Sequence, residues 1–169
     1  MAGVGKSGDV ERFAYLAEGN ARQARKRVAV DVLIRDCTGR ILLVNPSYKD
    51  YWDLPGGMAE SNESPVSAAK RELREELGIQ ISVGHLLLLD WVGPHGPWDD
   101  QLLFIFDGGV LAKNEAQEIE ILDDELTDFV FVRIEESEQF LRPDIWRLLR
   151  TAHACISTER TEYMETERS

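Results

Sequence analysis

Residues Trp52 to Ile79, WDLPGGMAESNESPVSAAKRELREELGI, constrain this chain more than any other stretch. Leu54-Pro55-Gly56-Gly57 is a loop signal, because proline fixes one φ angle and two glycines open backbone conformations closed to other residues. A Gly-Gly pair also lets a ligand or ion approach bare main chain. Ser64 suits a helix N-cap, its hydroxyl accepting from a free N–H of the first turn. Pro65 suits the first helical position, where no N–H is needed. The pattern predicts a helix from Pro65 to about Leu77, ended by Gly78 in a left-handed conformation.

The faces of that helix separate. Val66, Ala69, Leu73 and Leu77 recur at three- and four-residue spacing and make a core stripe. Glu72, Glu75 and Glu76 fall within an arc of roughly 100° beside it. Like charges at this spacing repel by about a few tenths of a kcal/mol per pair. They also stand in the last turns, where the helix dipole disfavours negative charge. Arg71 can reach Glu75 at i+4 and offset part of this. The remaining charge asks for a cation, and Mg²⁺ or Mn²⁺ suits it, since hard ions take oxygen ligands and keep several waters. A glutamate-rich face that is merely solvated is the plain alternative, and the helix by itself does not separate the two.

The spacing does more. Gly57 is followed by five residues, then Glu63, seven residues, and Arg71-Glu72-Leu73-Arg74-Glu75-Glu76-Leu77-Gly78-Ile79. This resembles the Nudix box, G-x5-E-x7-R-E-U-x-E-E-x-G-U with U a bulky aliphatic, and every fixed position is filled. WDLPGG looks like the usual lead-in. Asn62 stands where glycine is common, and Asn tolerates left-handed backbone better than most residues.

The resemblance implies an α/β/α sandwich, a mixed β-sheet flanked by the box helix and a C-terminal helix. It also implies divalent-cation-dependent cleavage of a nucleoside diphosphate linked to another moiety. Carried over position by position, Glu72, Glu75 and Glu76 would hold metal or activate water. Gly56 would offer a main-chain carbonyl to the metal, and Arg71 would orient Glu75 or Glu63. Mg²⁺ is the expected cofactor, with Mn²⁺ as a substitute. A glutamate beyond the box can approach the metals in such proteins; Glu125 is the candidate here, with Glu118 and Glu120 behind it. The catalytic set is therefore Arg71, Glu72, Glu75 and Glu125, the metal set Gly56, Glu72, Glu75 and Glu76. Either Glu75 or Glu125 would take the proton of the attacking water. A catalytically silent, nucleotide-sensing module on the same fold is the alternative, although sensing modules usually carry eroded boxes. A third reading keeps the metal site for isomerisation or another transfer.

Bulk properties bound the rest. A chain of 169 residues suits one domain with a real core. The expected division is a flexible leader over 1–8, a single domain over 9–157 and a polar tail over 158–169. GKS in the leader lacks the upstream glycine and strand that a phosphate-binding P-loop needs. A net charge of −12 argues against duplex nucleic acid, whose binding rests on Lys and Arg. It does not exclude a small phosphorylated nucleotide, because the metal would supply local positive charge. No run of about 18 apolar residues offers a membrane span. No charged-then-apolar leader opens the chain, and Cys37 and Cys155 form no disulfide or metal pattern, so a cytoplasmic location is expected. A homodimer is possible and undecided.

Elsewhere, a helix is expected over about 9–25 with Val10, Phe13, Leu16 and Ala17 on one face. Arg22, Arg25, Lys26 and Arg27 form a basic run, either a solvated helix end or an arm that contacts substrate or a partner. Strands are expected over 27–34 and 40–45 as a hairpin around Asp36–Gly39, then over 79–83, 85–92, 101–107 and into Val132. Lys113 to Asp124 reads as irregular. A helix is expected over 143–154, and residues beyond 158 as frayed. Tyr48, Tyr51 and Trp52 could stack a base or pack the loop down. Loops 46–51 and 93–100, the latter with His95 and Trp98, are placed to select substrate.

Overall fold

The computed structural model describes residues 5–168. In chain order the elements are α1 (Gly5–Ala21), β1 (Arg27–Asp36), β2 (Ile41–Pro46), β3 (Gly56–Met58), α2 (Pro65–Leu77) and β4 (Leu86–Val92). They continue with β5 (Gln101–Leu111), α3 (Lys113–Gln117), β6 (Leu126–Val132), a 3₁₀ turn (Ile134–Gln139), α4 (Pro143–Thr158) and β7 (Glu162–Thr166). One mixed sheet runs β6-β2-β1-β5-β4-β7, with β3 added against β1. β1 pairs in parallel with β5 and β4 in parallel with β7, while the other pairings are antiparallel.

The central strand shows how sequence becomes layers. Successive side chains of a strand point to opposite faces. Val30, Val32 and Ile34 pack with Ala68, Ala69, Leu73 and Leu77 of α2. Ala29 and Leu33 pack with Ile145, Leu148, Leu149 and Ala152 of α4. Asp31 belongs to the second set by alternation, so a carboxylate stands on the α4 face of the sheet, where it lines a cavity. Its Cα partner across the β1–β3 ladder is Gly56. Full burial of each leucine in these layers contributes about 1.5–3 kcal/mol. Such a sheet, covered by a helix on each side, is the expected α/β/α sandwich.

α2 is bounded as its sequence dictates. Ser64 accepts from the Ser67 N–H, Pro65 opens the helix, and Gly78 closes it at φ 67°. Its core stripe is shifted from the expected one: Ala68, Ala69, Leu73 and Leu77 are buried, whereas Val66 is exposed and Glu76 takes a buried position. Asn62 has a φ of 62°, the left-handed backbone its position calls for.

Several expectations are corrected. Residues 79–83 form no strand; Ile79 is buried and Ile81 and Val83 pack against the α2 layer. Their alternation reports burial, and no neighbouring strand takes their backbone. β5 continues to Leu111, and a short helix interrupts the stretch that reads as irregular. The tail does not fray: Glu162–Thr166 adds to the free edge of β4, and Thr166 is buried with its hydroxyl on Asp90 Oδ1 at 3.1 Å. The expected boundary at 157 thus falls inside α4. Residues 1–4 of the expected leader lie outside the described residues, and Gly5–Gly8 belong to α1. Val10, Phe13 and Leu16 of α1 are exposed. α1 ends before the basic run begins; Arg22 pairs back with Glu18, and Lys26 and Arg27 reach the 93–100 loop. Lys26 pairs with Asp100, and the Arg27 guanidinium lies 4.7 Å from the Trp98 ring centroid. Among the described residues no helix is long and apolar enough to cross a membrane.

Candidate active site

The site is built where the Gly56-Gly57 bend meets the last two turns of α2. Gly56 is demanded sterically, and Gly57 leaves room for a carboxylate. Gly56 has φ 152°, and a Cβ there would run into the Val30 main-chain oxygen. A Cβ on Gly57 would stand 2.5 Å from Oε1 of Glu72. The bend therefore passes the Glu72 carboxylate so closely that any side chain at position 57 would displace it.

Arg71 organises the carboxylates. Its Nε and Nη2 hold Glu63 Oε1 and Oε2 at 3.0 and 2.9 Å, and Nη2 also donates to the Met58 carbonyl at 3.0 Å. Its Nη1 donates to Glu72 Oε1 at 3.0 Å and to Glu75 Oε2 at 3.1 Å. These hydrogen bonds outweigh the cost of desolvation and keep the guanidinium charged, while the Arg71 contact and the Glu60 N–H hold Glu63 below its usual range.

Glu76 is the unusual group. It is only 8% exposed, and its Oε2 is buried without a hydrogen-bond partner among the described residues. Burial first, then the charge of Glu72, pushes its carboxyl up to about 8; a backbone hydrogen bond from Gly56 opposes this, and Asp123 and Glu125 add to it. Burial likewise raises Glu72, Arg71 opposing and Glu75 and Glu125 adding. Glu125 is exposed at the rim, its carbonyl accepting from the Ser47 N–H at 2.7 Å. Glu118 and Glu120 lie instead at the carboxyl end of α2: Glu118 beside Gly78 and Ile79, and Glu120 with its N–H on the Leu77 carbonyl.

The bend opens into a cavity of about 210 Å³. Gly56, Gly57 and Glu76 form one wall; Asp31, Lys49, Asp53 and Arg168 give it charge, and Tyr48 stands at its edge. Lys49 donates to Asp53 Oδ2 at 2.6 Å. Burial and the nearby Asp53 raise Asp31 well above the usual carboxylate range, Lys49 opposing. Arg168 Nε lies 3.1 Å from Asp144 Oδ2. Of the loop aromatics, Trp52 packs edge-on against Phe140 and Tyr51 accepts from Arg142, so both hold the loop down, and Tyr48 alone lines the cavity. Residues 93–100 do not line it, and His95 Nδ1 is paired with the Gly93 carbonyl at 2.9 Å.

Sequence reasoning misses Asp31, Lys49 and Arg168. An aspartate inside the β-branched run Arg27–Ile34 is the available signal for the first, since strand interiors rarely spend an inward position on a carboxylate. Nothing local marks Arg168, whose place depends on β7 pairing with β4.

A carboxylate-bearing helix packed over a Gly-Gly bend, on a mixed sheet covered by helices on both faces, defines an α/β/α sandwich with its acidic cluster at the bend. The family model of the Nudix domain matches residues 25–152. The chain belongs to the Nudix family. Solved structures with the same fold include the MutT protein of Methanosarcina mazei, with a TM-score of 0.64 and 22% identity over 82% of this chain and 99% of that one. The Nudix domain of Shewanella oneidensis NrtR, complexed with ADP-ribose, gives a TM-score of 0.68 and 19% identity over 85% of this chain and 97% of that one. Among curated proteins, an RNA pyrophosphohydrolase of Halorhodospira halophila is 40% identical over 53 residues, 31% of this chain and 29% of its own length. A diphosphoinositol polyphosphate phosphohydrolase of Rattus norvegicus is 41% identical over 64 residues, 37% of this chain and 36% of its own length. These matches span about a third of each curated relative.

Proposed function

We propose that the chain is a divalent-cation-dependent hydrolase that cleaves the phosphoanhydride bond of a nucleoside diphosphate linked to another moiety. The buried, unpartnered Oε2 of Glu76 beside the Gly56-Gly57 bend carries this reading. Burying a carboxylate oxygen with no donor is costly, and a hard cation relieves that cost where a hydrogen bond does not. Among the described residues no three Asp, Glu, His or Cys side chains converge on one point. Two carboxylates and a main-chain oxygen suffice for Mg²⁺, which keeps several waters. Glu72, Glu76 and the Gly56 carbonyl would hold it, with Glu75 at the margin and Mn²⁺ as a substitute.

When bound, the cation supplies Lewis acidity to the phosphoryl oxygens and lowers the pKa of a bound water. The chain does the rest. Gly57 leaves room for the Glu72 carboxylate, and Arg71 keeps Glu72 and Glu75 in register with Glu63. Lys49 and Arg168 offset the negative lining of the cavity where the substrate's anionic part enters, and Tyr48 offers a ring at its edge. Glu75, half-exposed, or Glu125, across the rim, takes the proton of the attacking water. ADP-ribose in the Shewanella neighbour and the RNA pyrophosphohydrolase name of one curated relative support a nucleotide-type substrate, and the diphosphoinositol polyphosphate phosphohydrolase name of the other supports phosphoanhydride cleavage more broadly. A small phosphorylated substrate, no duplex nucleic acid and a cytoplasmic location complete the proposal, Cys37 and Cys155 both being free thiols.

The test is a phosphate-release screen with Mg²⁺ and with Mn²⁺ over nucleoside triphosphates, ADP-ribose, dinucleoside polyphosphates and nucleotide sugars. Turnover on one class, lost in Glu76→Gln, supports the reading. Saturable binding without turnover across the whole panel would establish the silent sensing module in its place.

A further inference from the structure

A second feature lies outside the cleft. A groove of about 540 Å³ runs between α4 and β7, and it shares no lining residue with the cleft. Arg147, Arg150, Thr151, Ala154 and Thr158 form its α4 wall, a single stripe at three- and four-residue spacing. Small side chains at Thr151, Ala154 and Thr158 leave the hollow that the arginines border. Arg160 enters from the turn after α4, where Glu159 at φ 51° sends the chain back.

Arg147, Arg150 and Arg160 form no ion pair among the described residues, although the chain carries 31 acidic side chains against 19 basic ones. Two of them are nevertheless fixed. Arg147 Nη2 donates to Thr166 Oγ1 at 2.9 Å, and Thr166 is anchored in turn on the buried Asp90. The Arg150 guanidinium sits over the Trp146 ring, 4.5 Å from its centroid. Trp146 also lines the groove, and its indole N–H is buried without an acceptor among the described residues. Arg150 and Arg160 stand against Glu162 and roughly half a unit charge at the carboxyl end of α4, while Arg147 also faces the buried Asp90. The acidity of the rest of the surface does not cancel this, because at physiological salt it is screened beyond about 8 Å.

We propose that this groove is a second, non-catalytic anion site that takes an oligophosphate, free or as the phosphate chain of a nucleotide. Guanidinium groups match phosphate oxygens in pairs. Their prior fixing lowers the ordering cost that binding otherwise carries. The volume falls within the range of small-ligand sites. The site does not depend on hydrolysis, so it stands or falls apart from the activity proposed above.

Calorimetric titration of the full chain in EDTA, with tripolyphosphate, ADP and adenosine in turn, tests it. Tripolyphosphate and ADP bind and adenosine does not; the tighter of the two names the source of the phosphate. Affinity falls at least about 10-fold in the double variant Arg150→Ala/Arg160→Ala. It also falls in the single charge reversal Arg160→Glu, which leaves the Arg150–Trp146 stack in place. Glu76→Gln binds as the unmodified chain does, and the double variant keeps its cation-dependent hydrolysis. No binding by the unmodified chain, equal affinity in the arginine variants, or loss of binding in Glu76→Gln overturns the assignment.

Discussion

Arg71 reaches back eight positions and grips both oxygens of Glu63, from Nε at 3.0 Å and from Nη2 at 2.9 Å. The same guanidinium touches Glu72, Glu75 and the Met58 carbonyl, so one side chain ties the loop before α2 to the carboxylates on its last turns. Lysine cannot reproduce that fork. Arg71→Lys is expected to lower stability by about 1–3 kcal/mol, the cost of unpairing partly buried charged hydrogen bonds. Hydrolysis should fall by about 10²-fold through misplacement of Glu72 and Glu75. Urea melts and initial rates measure both. An active Arg71→Lys enzyme would show that the carboxylates are positioned by something else.

Glu76 gives a pH dependence with a definite sign. Its folded carboxyl is raised to about 8 from an ordinary 4.5, so in cation-free protein its contribution is fully present below about pH 4.5 and is lost as pH rises toward 8. Glu76→Gln removes the charge and should flatten that part of the Tm profile while lowering hydrolysis about 10²-fold or more. Mg²⁺ binds the ionised form. It should therefore raise the Tm of the unmodified chain more at pH 8 than at pH 5, and EDTA should reverse the rise. Equal Mg²⁺ shifts at both pH values, or a shift retained in Glu76→Gln, would count against the assignment of Glu76 as a ligand.

The two glycines of the bend separate folding from chemistry. Gly56→Ala meets the Val30 backbone, which cannot move without breaking the β1–β3 ladder, and should cost about 3 kcal/mol or more. Gly57→Ala meets the mobile end of Glu72. It should cost about 1 kcal/mol or less in stability yet displace that carboxylate and abolish cation-dependent turnover. Thermal melts beside rate measurements separate the two; an active Gly57→Ala would mean that Glu72 is not needed where it stands.

Asp36 makes the fold sensitive to acid. Burial opposes its ionisation, but donors from Thr38 and Arg40 prevail and hold it at about 2, against an ordinary 3.8. A depressed carboxylate stabilises above its unfolded pKa and loses that contribution as pH falls, here between about 4 and 2. Asp36→Asn should cost about 2 kcal/mol near pH 7, and the difference should vanish near pH 2. Denaturant melts at both pH values check it.

Arg168 tests the last strand. Arg168→Ala removes a cation from the cleft and a partner of Asp144. With the Thr166–Asp90 anchor intact, the fold should persist, and KM for the substrate found in the screen should rise about 10-fold with a smaller change in kcat. An unchanged KM would place the substrate's anionic part elsewhere.

What the sequence determined by itself is the local chemistry of the Trp52–Ile79 stretch. Capping at Ser64, Pro65 and Gly78, the left-handed backbone at Asn62 and the Arg71-to-Glu75 contact follow from neighbours a few positions apart. The mixed sheet between two helical layers is what the resemblance carried by that stretch implies; alternation in β1 and the spacing in α2 and α4 mark only which sides of each element are buried. Only the tertiary structure decided which groups face the bend from far away. It put Glu76 rather than Val66 on the buried side of α2. It left residues 79–83 without a partner strand despite their alternation, and it used the polar tail as β7, which brings Arg168 to the cleft and Thr166 to Asp90. Short-range signals fix how a segment bends and which way its side chains alternate; the free edge that a strand joins, and so what its last residues reach, depends on contacts scores of positions apart that no local pattern encodes.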